Sequence, residues 1–310
     1  MIDVGAGFAI IATVALVGFL LARSGVVDDS TRTSLARLAF SVFTPCLLFT
    51  VLATADVRML FSTMLVGTAV AATTACLAYA VVALLLWRRS VSESVIGSLA
   101  AGYVNGNNMG LPVATYVLGD PALVAPVMLF QIILLMPIAL SVLELQQRPG
   151  TLSWRLVLRP LLNPLIVASA AGVVVSVLEL QVAGLVLEPF RLIGAAAVPA
   201  VLLAFGISLH GQRFFAAGTG RRQIALVAFL KLFAMPAVAW GFSSFVLGLE
   251  AHALYAVVVL AALPTAQNVY TFAQRYGHGE TIARDSTLVT TVGAFPVLLV
   301  VAAVLAPTAI

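Results

Sequence analysis

The chain has 310 residues, of which sixteen are basic and twelve acidic, so charged residues make up only 9%. Apolar residues make up 62% and the mean hydropathy is +1.12, whereas a soluble domain carries about 25% charged residues. So few charges exclude an ordinary soluble globular protein, and continuous apolar runs of helix length disfavour an outer-membrane β-barrel. The composition predicts an all-α polytopic membrane protein.

Ten apolar stretches predict ten transmembrane helices, separated by polar or helix-breaking residues. The first stretch lacks a basic segment before it, so we expect a membrane span there and not a signal peptide. The helices leave too few residues for a folded domain outside the membrane. The predicted helices cover residues 4–22, 34–54, 60–87, 93–118, 121–144, 157–178, 189–209, 223–247, 252–275 and 282–306.

The positions of the basic residues predict the orientation of these helices. Fourteen of the sixteen lie in or beside the loops that follow helices 1, 3, 5, 7 and 9, and only Arg58 and Arg191 lie on the other side. Under the positive-inside rule, the fourteen mark the cytoplasmic side of the inner (plasma) membrane, and both termini lie outside. The formal charge of +4 is explained by this distribution and does not indicate nucleic-acid binding.

The ten predicted helices divide into two repeats of five, residues 1–150 and 151–310. An odd number of helices inserts the second repeat in the opposite orientation. Pro45 in helix 2 matches Pro199 in helix 7, and the polar break of helix 4 matches that of helix 9. Inverted repeats with paired broken helices are typical of secondary transporters.

The break in helix 4 runs from Asn105 to Pro112 at membrane depth. Unwound backbone there must line a cavity or be buried in protein, and asparagine amides both donate and accept hydrogen bonds. Pro112 suits the first turn of a restarting helix. We predict that this break binds a substrate; the alternative is a packing kink with contacts between helices. The candidate residues are Asn105, Asn107, Asn108, Gly110 and Pro112.

The break in helix 9 has similar chemistry, with Pro264, Thr265, Gln267, Asn268 and Tyr270. Where two broken helices cross, helix N-termini carrying partial positive charge meet near the membrane centre, which favours a carboxylate or another small anion. The alternatives are hydrogen bonds between helices for Gln267 and Asn268, and a bond from Thr265 to its own backbone.

Few ionisable residues lie at membrane depth. Lys231 lies about nine residues into helix 8, and we expect it to reach the cytoplasmic face or to form a local pair. Cys46 and Cys76 are expected to be small core residues. The sequence contains no nucleophile with its base, nucleotide-binding loop or metal-ligand spacing, so no enzyme, cofactor or metal ion is predicted.

The two breaks resemble those of the auxin efflux carrier family, which includes plant auxin carriers and bacterial permeases for malate and malonate. The resemblance rests on Asn105–Pro112, on Leu263-Pro264 and on the stretch from Asn268 to Gly277. The plan is also similar to that of the bile-acid/sodium symporter group.

The resemblance implies a division of labour between the helices. Helices 1, 2, 6 and 7 would form a scaffold and the interface of a homodimer. Helices 3–5 and 8–10 would form a mobile transport domain that carries the crossover, with Thr44 and Pro45 of helix 2 facing the substrate. An elevator-type movement of this domain would give alternating access.

Three functions follow from these observations. The first is a secondary carrier of small organic anions such as auxin-like or dicarboxylic acids. The second is a sodium-coupled symporter of the bile-acid type, which would need ion ligands beside the crossover. The third is a channel or a receptor, which would not need matched inverted breaks.

Overall fold

The computed structural model describes residues 2–55, 63–147, 162–210 and 220–306. This part of the chain is helical and contains no β-strand beyond an isolated antiparallel bridge between Val104 and Thr265. The helices, numbered in chain order, are α1 (Ile2–Arg23), α2 (Asp29–Leu52), α3 (Leu65–Leu86), α4 (Val91–Gly102), α5 (Leu111–Tyr116), α6 (Pro121–Gln147), α7 (Pro164–Val177), α8 (Gly184–Leu209), α9 (Arg221–Phe245), α10 (Ala251–Ala261), α11 (Asn268–Tyr276) and α12 (Glu280–Leu305).

Seven helices in the described residues are long and apolar enough to cross a membrane: α1, α2, α3, α6, α8, α9 and α12. α7 and α10 are shorter apolar helices. The protein is therefore an all-helical polytopic membrane protein. The total of ten transmembrane helices stays a prediction.

Several helix boundaries differ from those predicted. α2 begins at Asp29 instead of residue 34, and α8 begins at Gly184 instead of residue 189, with Pro189 inside the helix. Predicted helix 4 is divided between α4 and α5, and predicted helix 9 between α10 and α11. The boundary between the repeats, the first residues of predicted helix 6 and five arginines used for the orientation lie outside the described residues. These arginines are Arg58, Arg148, Arg155, Arg159 and Arg213.

Polar caps explain where several helices begin. The Asp28 carboxylate accepts hydrogen bonds from the Thr31 backbone N–H at 2.8 Å and from the Ser30 hydroxyl at 2.7 Å. The Asn163 side chain accepts from the Leu165 N–H at 3.0 Å and precedes Pro164, which needs no hydrogen bond in the first turn. The five-residue difference at the start of α2 follows from the Asp28 cap.

The Asp28 cap is expected to depend on pH. Its hydrogen bonds from Thr31 and Ser30 lower the pKa of the carboxyl from 3.8 to about 2. Because this pKa is depressed in the folded protein, the stabilisation is fully present above pH 3.8 and is lost as the pH falls through about 2. Hydrogen exchange of the Thr31 amide, corrected for its intrinsic rate, should show protection that disappears only in this range.

The Asn163 cap is a control within the same chain, because a neutral amide does not titrate there. The Leu165 amide should keep its protection over the same pH range, and Asp28→Asn should remove the pH dependence at Thr31. Loss of protection at both amides in one step would contradict this explanation of the cap.

Four prolines in the described helices follow a π-helical turn. The turns span Ala39–Phe43, Gly106–Gly110, Gln131–Leu135 and Leu230–Ala234, and each ends two residues before a proline. A proline ring clashes with the carbonyl of residue i−4 and has no N–H to donate, so the preceding turn widens. The prolines are Pro45, Pro112, Pro137 and Pro236.

The chain divides into two compact units. Unit 1 contains Met1–Phe61, Asn107–Ala125 and Leu161–Arg213, and unit 2 contains Ser62–Gly106, Pro126–Pro160 and Phe214–Ile310. Residues 107–125, which the resemblance assigned to the mobile domain with the rest of helix 4, belong to unit 1.

Unit 1 is held together by close contacts at glycines. α1 packs against the second half of α8, where a Cβ on Gly18 or Gly206 would collide with the backbone of the opposite helix. α2 packs in the same way against Gly172 of α7 and Gly194 of α8. Small residues let helix backbones approach closely, which is the usual basis of helix packing in a membrane.

Unit 2 has a continuous buried core between α3, α4, α9, α11 and α12. α4 packs on α3 so closely that a Cβ on Gly97 would overlap the Tyr79 ring, and one on Gly102 would overlap Cys76 Sγ. Core residues include Tyr79, Leu99, Tyr103, Val269 and Ala273. This packing fixes the ends of α4 and α10, where the candidate site begins.

Candidate functional site

In unit 2, the chain crosses itself after α4 and after α10. Val104 and Thr265 form an antiparallel β-bridge, the Asn105 N–H donates to the Pro264 carbonyl at 2.8 Å, and the Ala266 N–H donates to the Tyr103 carbonyl at 3.1 Å. Backbone groups that the two interrupted helices leave without partners therefore pair with each other. Lipid could not satisfy such groups, so this pairing is what the predicted position of both interruptions within the membrane would require.

Three side chains complete the pairing at the crossover. The Gln131 amide on α6 accepts from the Val104 N–H and donates to the Val104 carbonyl at 3.2 Å. The Thr265 N–H donates to the Thr290 hydroxyl at 3.1 Å, and the Thr265 hydroxyl donates to the Ala100 carbonyl at 2.6 Å. Gln131, Thr265 and Thr290 are all buried, so they hold the crossover from inside the unit.

The predicted site residues of unit 2 differ in exposure. Asn105, Pro264 and Thr265 are buried, Gln267 and Tyr270 are partly buried, and Asn268 is exposed. Asn268 is the first residue of α11, and its side chain hydrogen-bonds with the Tyr103 hydroxyl.

These positions separate two roles within unit 2. Thr265 bonds to the Ala100 carbonyl and not to its own backbone, so it stabilises the crossover. Asn268 presents an amide at the N-terminal, positive end of α11, where an anion is favoured.

The predicted site residues of unit 1 form a chain of polar side chains. The Thr44 hydroxyl donates to Asn107 Oδ1 at 3.1 Å, and Asn107 Nδ2 donates to Asn108 Oδ1 at 3.0 Å. Thr44 is buried, whereas both asparagines are partly buried. Pro45 lies buried beside Thr44, and buried Gly110 and Pro112 lie at the start of α5.

The candidate residues of both units carry no formal charge. Their chemistry consists of amides, hydroxyls and the ends of helices, which can donate hydrogen bonds to a carboxylate. Across the part of the chain that the structure describes, no group of three or more His, Cys, Asp and Glu side chains is placed to hold a metal ion.

The sequence model of the membrane transport protein family matches residues 7–152 and, a second time, residues 151–302. The chain belongs to this family. The resemblance to the auxin efflux carriers is thereby confirmed.

Two relatives in this family show how far the similarity extends. An uncharacterized transporter of Methanothermobacter thermautotrophicus is 27% identical over 275 residues, which cover 86% of this chain and 87% of the relative. A putative malonate transporter of Rhizobium meliloti is 26% identical over 216 residues, which cover 68% of this chain and 67% of the relative.

The structure of this membrane transport protein also contains polar residues whose positions the sequence did not reveal. Gln131 and Thr290 hold the crossover, and the Tyr103 hydroxyl bonds to Asn268. Gln131 is a single polar residue in an apolar stretch. Gln131 begins a π-helical turn before Pro137, and such turns are frequent at functional sites. The spacing between Gln131 and Pro137 could therefore have identified Gln131 from the sequence.

One of the two expectations for Lys231, that its side chain reaches the cytoplasmic face, is wrong. Its side chain is fully buried, and Nζ donates to Met235 Sδ at 3.0 Å, so the local contact is the alternative that the structure supports. Lys231 also lies in a π-helical turn, Leu230–Ala234, which precedes Pro236.

Proposed function

We propose that this protein is a secondary transporter of small organic anions, such as dicarboxylic or auxin-like acids, in the inner (plasma) membrane. Membership in the membrane transport protein family supports transport as the function. The putative malonate transporter of Rhizobium meliloti supports a carboxylate as the cargo. The observation that carries the proposal is the uncharged crossover of unit 2, with Asn268 exposed at the start of α11.

The physical argument for an anion rests on the direction of the dipoles. The N-terminal end of α11 has partial positive charge, and the Asn268 amide lies there. Amide donors attract a carboxylate without the permanent charge of an arginine, so binding is expected to be of moderate strength and release rapid. This suits a carrier, because its cargo must leave on the other side.

We infer an elevator-type alternating access for this cargo, in which unit 2 carries the anion and unit 1 is the scaffold. Unit 1 contains α1, α2, α7 and α8, which correspond to predicted helices 1, 2, 6 and 7, and this agreement supports the assignment. The two separate matches of one family model support an internal repeat. The inverted orientation and the outward position of both termini are part of the proposal.

The test is uptake of labelled malonate, malate and indole-3-acetate by proteoliposomes that contain the purified protein, with empty liposomes as control. Each acid is measured at equal pH, with a proton gradient and with a sodium gradient. Saturable uptake of at least one acid is expected. The absence of uptake of all three acids, or single-channel currents, would contradict the proposal, and a strict sodium requirement would favour a sodium symporter.

A further inference from the structure

Lys231 is an amine enclosed in unit 2, and the crossover pairing does not use it. Its side chain has no exposed surface, and its hydrogen bond goes to the Met235 thioether, a weak acceptor. No salt bridge joins it to a carboxylate of the described residues. A charged amine without a counter-ion is costly inside a membrane protein, and such residues usually have a function.

The helices packed around Lys231 bring few ionisable groups to it. They are α3, α4 and α12, together with the rest of α9. The Cys76 thiol of α3 is near enough to interact electrostatically with Lys231. Two carboxylates of the other helices pair elsewhere: Glu93 of α4 with Arg89 at 3.8 Å, and Asp285 of α12 with Arg284 at 2.7 Å. The remaining carboxylate, Glu280, is the first residue of α12 and forms no salt bridge within the described residues.

The same thiol connects Lys231 with the crossover. Cys76 Sγ donates to the Ser98 carbonyl at 3.2 Å and packs against Gly102, the last residue of α4. Gly102 directly precedes Tyr103 and Val104, whose backbone groups form the crossover pairing. The turn that carries Lys231 packs against α3 and α4, and the Cys76 side chain connects it with the end of α4, where the crossover begins.

We infer that Lys231 is the proton-binding group that couples anion transport to proton movement, an inference that rests on the proposed function. When a carboxylate binds at the crossover, the amine takes up one proton from water and becomes an ammonium ion. When the carboxylate leaves, the ammonium returns the proton. One negative and one positive charge then cross the membrane together.

This coupling follows from electrostatics in a medium of low dielectric constant. A bound anion stabilises the ammonium, and by linkage the ammonium strengthens anion binding by the same factor. The pair is favourable only when both members are present. A carrier loaded with the anion alone or the proton alone would have an uncompensated charge, which disfavours its movement.

The test compares the proton response of uptake in wild-type and variant proteoliposomes, using the acid of the three-acid panel with the fastest uptake. For the wild type, an inward proton gradient should increase initial uptake severalfold, and a pH dye inside the vesicles should report acidification during uptake. For Lys231→Met, the ratio of uptake with and without the gradient should fall to about one, and exchange of internal for external acid should be slower than in the wild type because the anion moves without a compensating charge.

Two further variants make this test decisive. Lys231→Arg keeps a positive charge but cannot release the proton, so it too should lose the proton response. If Lys231→Met is not monodisperse on gel filtration, the proton response of Lys231→Arg decides whether Lys231 binds the proton. Arg222→Met removes an exposed cation from the same helix and should respond to protons as the wild type does.

The outcomes separate this inference from the proposed function. A proton response that persists in either folded Lys231 variant would overturn the role of Lys231. Uptake by the wild type that ignores the proton gradient would contradict the coupling and leave anion transport intact. Failure of the wild type to carry any of the three acids would contradict the proposed function itself.

Discussion

Replacing Gln131 by leucine is expected to lower the unfolding temperature of the protein by several degrees and to abolish anion uptake. Gln131 is the side-chain partner of both backbone groups of Val104, and it is only 2% exposed. Leucine would leave the buried Val104 N–H without this partner, at a cost of about 1–3 kcal/mol, whereas the Val104 carbonyl would keep the Gly106 N–H as a donor. The crossover would lose the side chain that bonds to the backbone of Val104.

Thermal unfolding of the purified protein and uptake by proteoliposomes measure the two effects of Gln131→Leu. Gln131→Glu refines the interpretation, because a carboxylate can accept from the Val104 N–H but cannot donate to the carbonyl when ionised. It should therefore be less disruptive than leucine at the N–H, while the Val104 carbonyl keeps only the Gly106 N–H as its donor.

Gln223 provides the matched control for Gln131. It is also a buried glutamine, with 4% of its surface exposed, but its Nε2 has no hydrogen-bond partner among the described residues. Gln223→Leu should change the unfolding temperature by much less than Gln131→Leu and should leave uptake intact. Equal losses in the two variants would show that any buried amide has this effect and would contradict the special role of Gln131.

The sequence predicted the class of fold and the positions of the two interruptions, because both leave local signals. Long apolar runs indicate membrane helices, and clusters of Gly, Pro and Asn within them indicate breaks. Residues 103–105, which precede the π-helical turn Gly106–Gly110, interrupt the first helix at the start of the predicted break, and residues 262–267 interrupt the second where the sequence predicted it. Helix starts were less accurate where a cap such as Asp28 extended the helix beyond its apolar residues.

The partners within the crossover could not be predicted from the sequence. Val104 and Thr265 are far apart along the chain, and the residues around Val104 do not indicate which residue its backbone faces. Gln131 and Thr290 have their partners on other helices, so no local pattern reveals them. The alternative considered for Thr265, a bond to its own backbone, does not occur, because its hydroxyl donates to the Ala100 carbonyl.

The burial of Lys231 shows a second limit of sequence analysis. Counting residues from the start of predicted helix 8 gave the depth of Lys231 in the helix. A helix that is apolar on most sides does not indicate in which direction a single lysine side chain points. The π-helical turn before Pro236 changes the register of the helix locally and therefore the direction of this side chain. Proline spacing combined with one polar residue identifies both Lys231 and Gln131.

Replacing Asn268 by alanine is expected to lower anion uptake at least tenfold, with only a small fall in unfolding temperature because the buried Tyr103 hydroxyl loses this partner. The Asn268 side chain is exposed, so its removal creates no cavity. It lies at the positive end of α11, where loss of one hydrogen bond to a charged carboxylate costs about 1.5–3 kcal/mol, and about 1.4 kcal/mol already corresponds to a factor of ten. Gln274→Ala, on the same helix but near its C-terminal end, should transport normally.

Tyr103→Phe separates contact with the anion from positioning of α11. The Tyr103 hydroxyl bonds to the Asn268 side chain, and phenylalanine removes that bond while the amide stays. If Asn268 binds the anion, Asn268→Ala must reduce uptake more than Tyr103→Phe, and the double variant should resemble Asn268→Ala. Equal losses in both single variants would reduce Asn268 to a positioning residue. Full uptake by both Asn268→Ala and Asn105→Ala would contradict the crossover as the anion site, because neither amide would then contribute to binding.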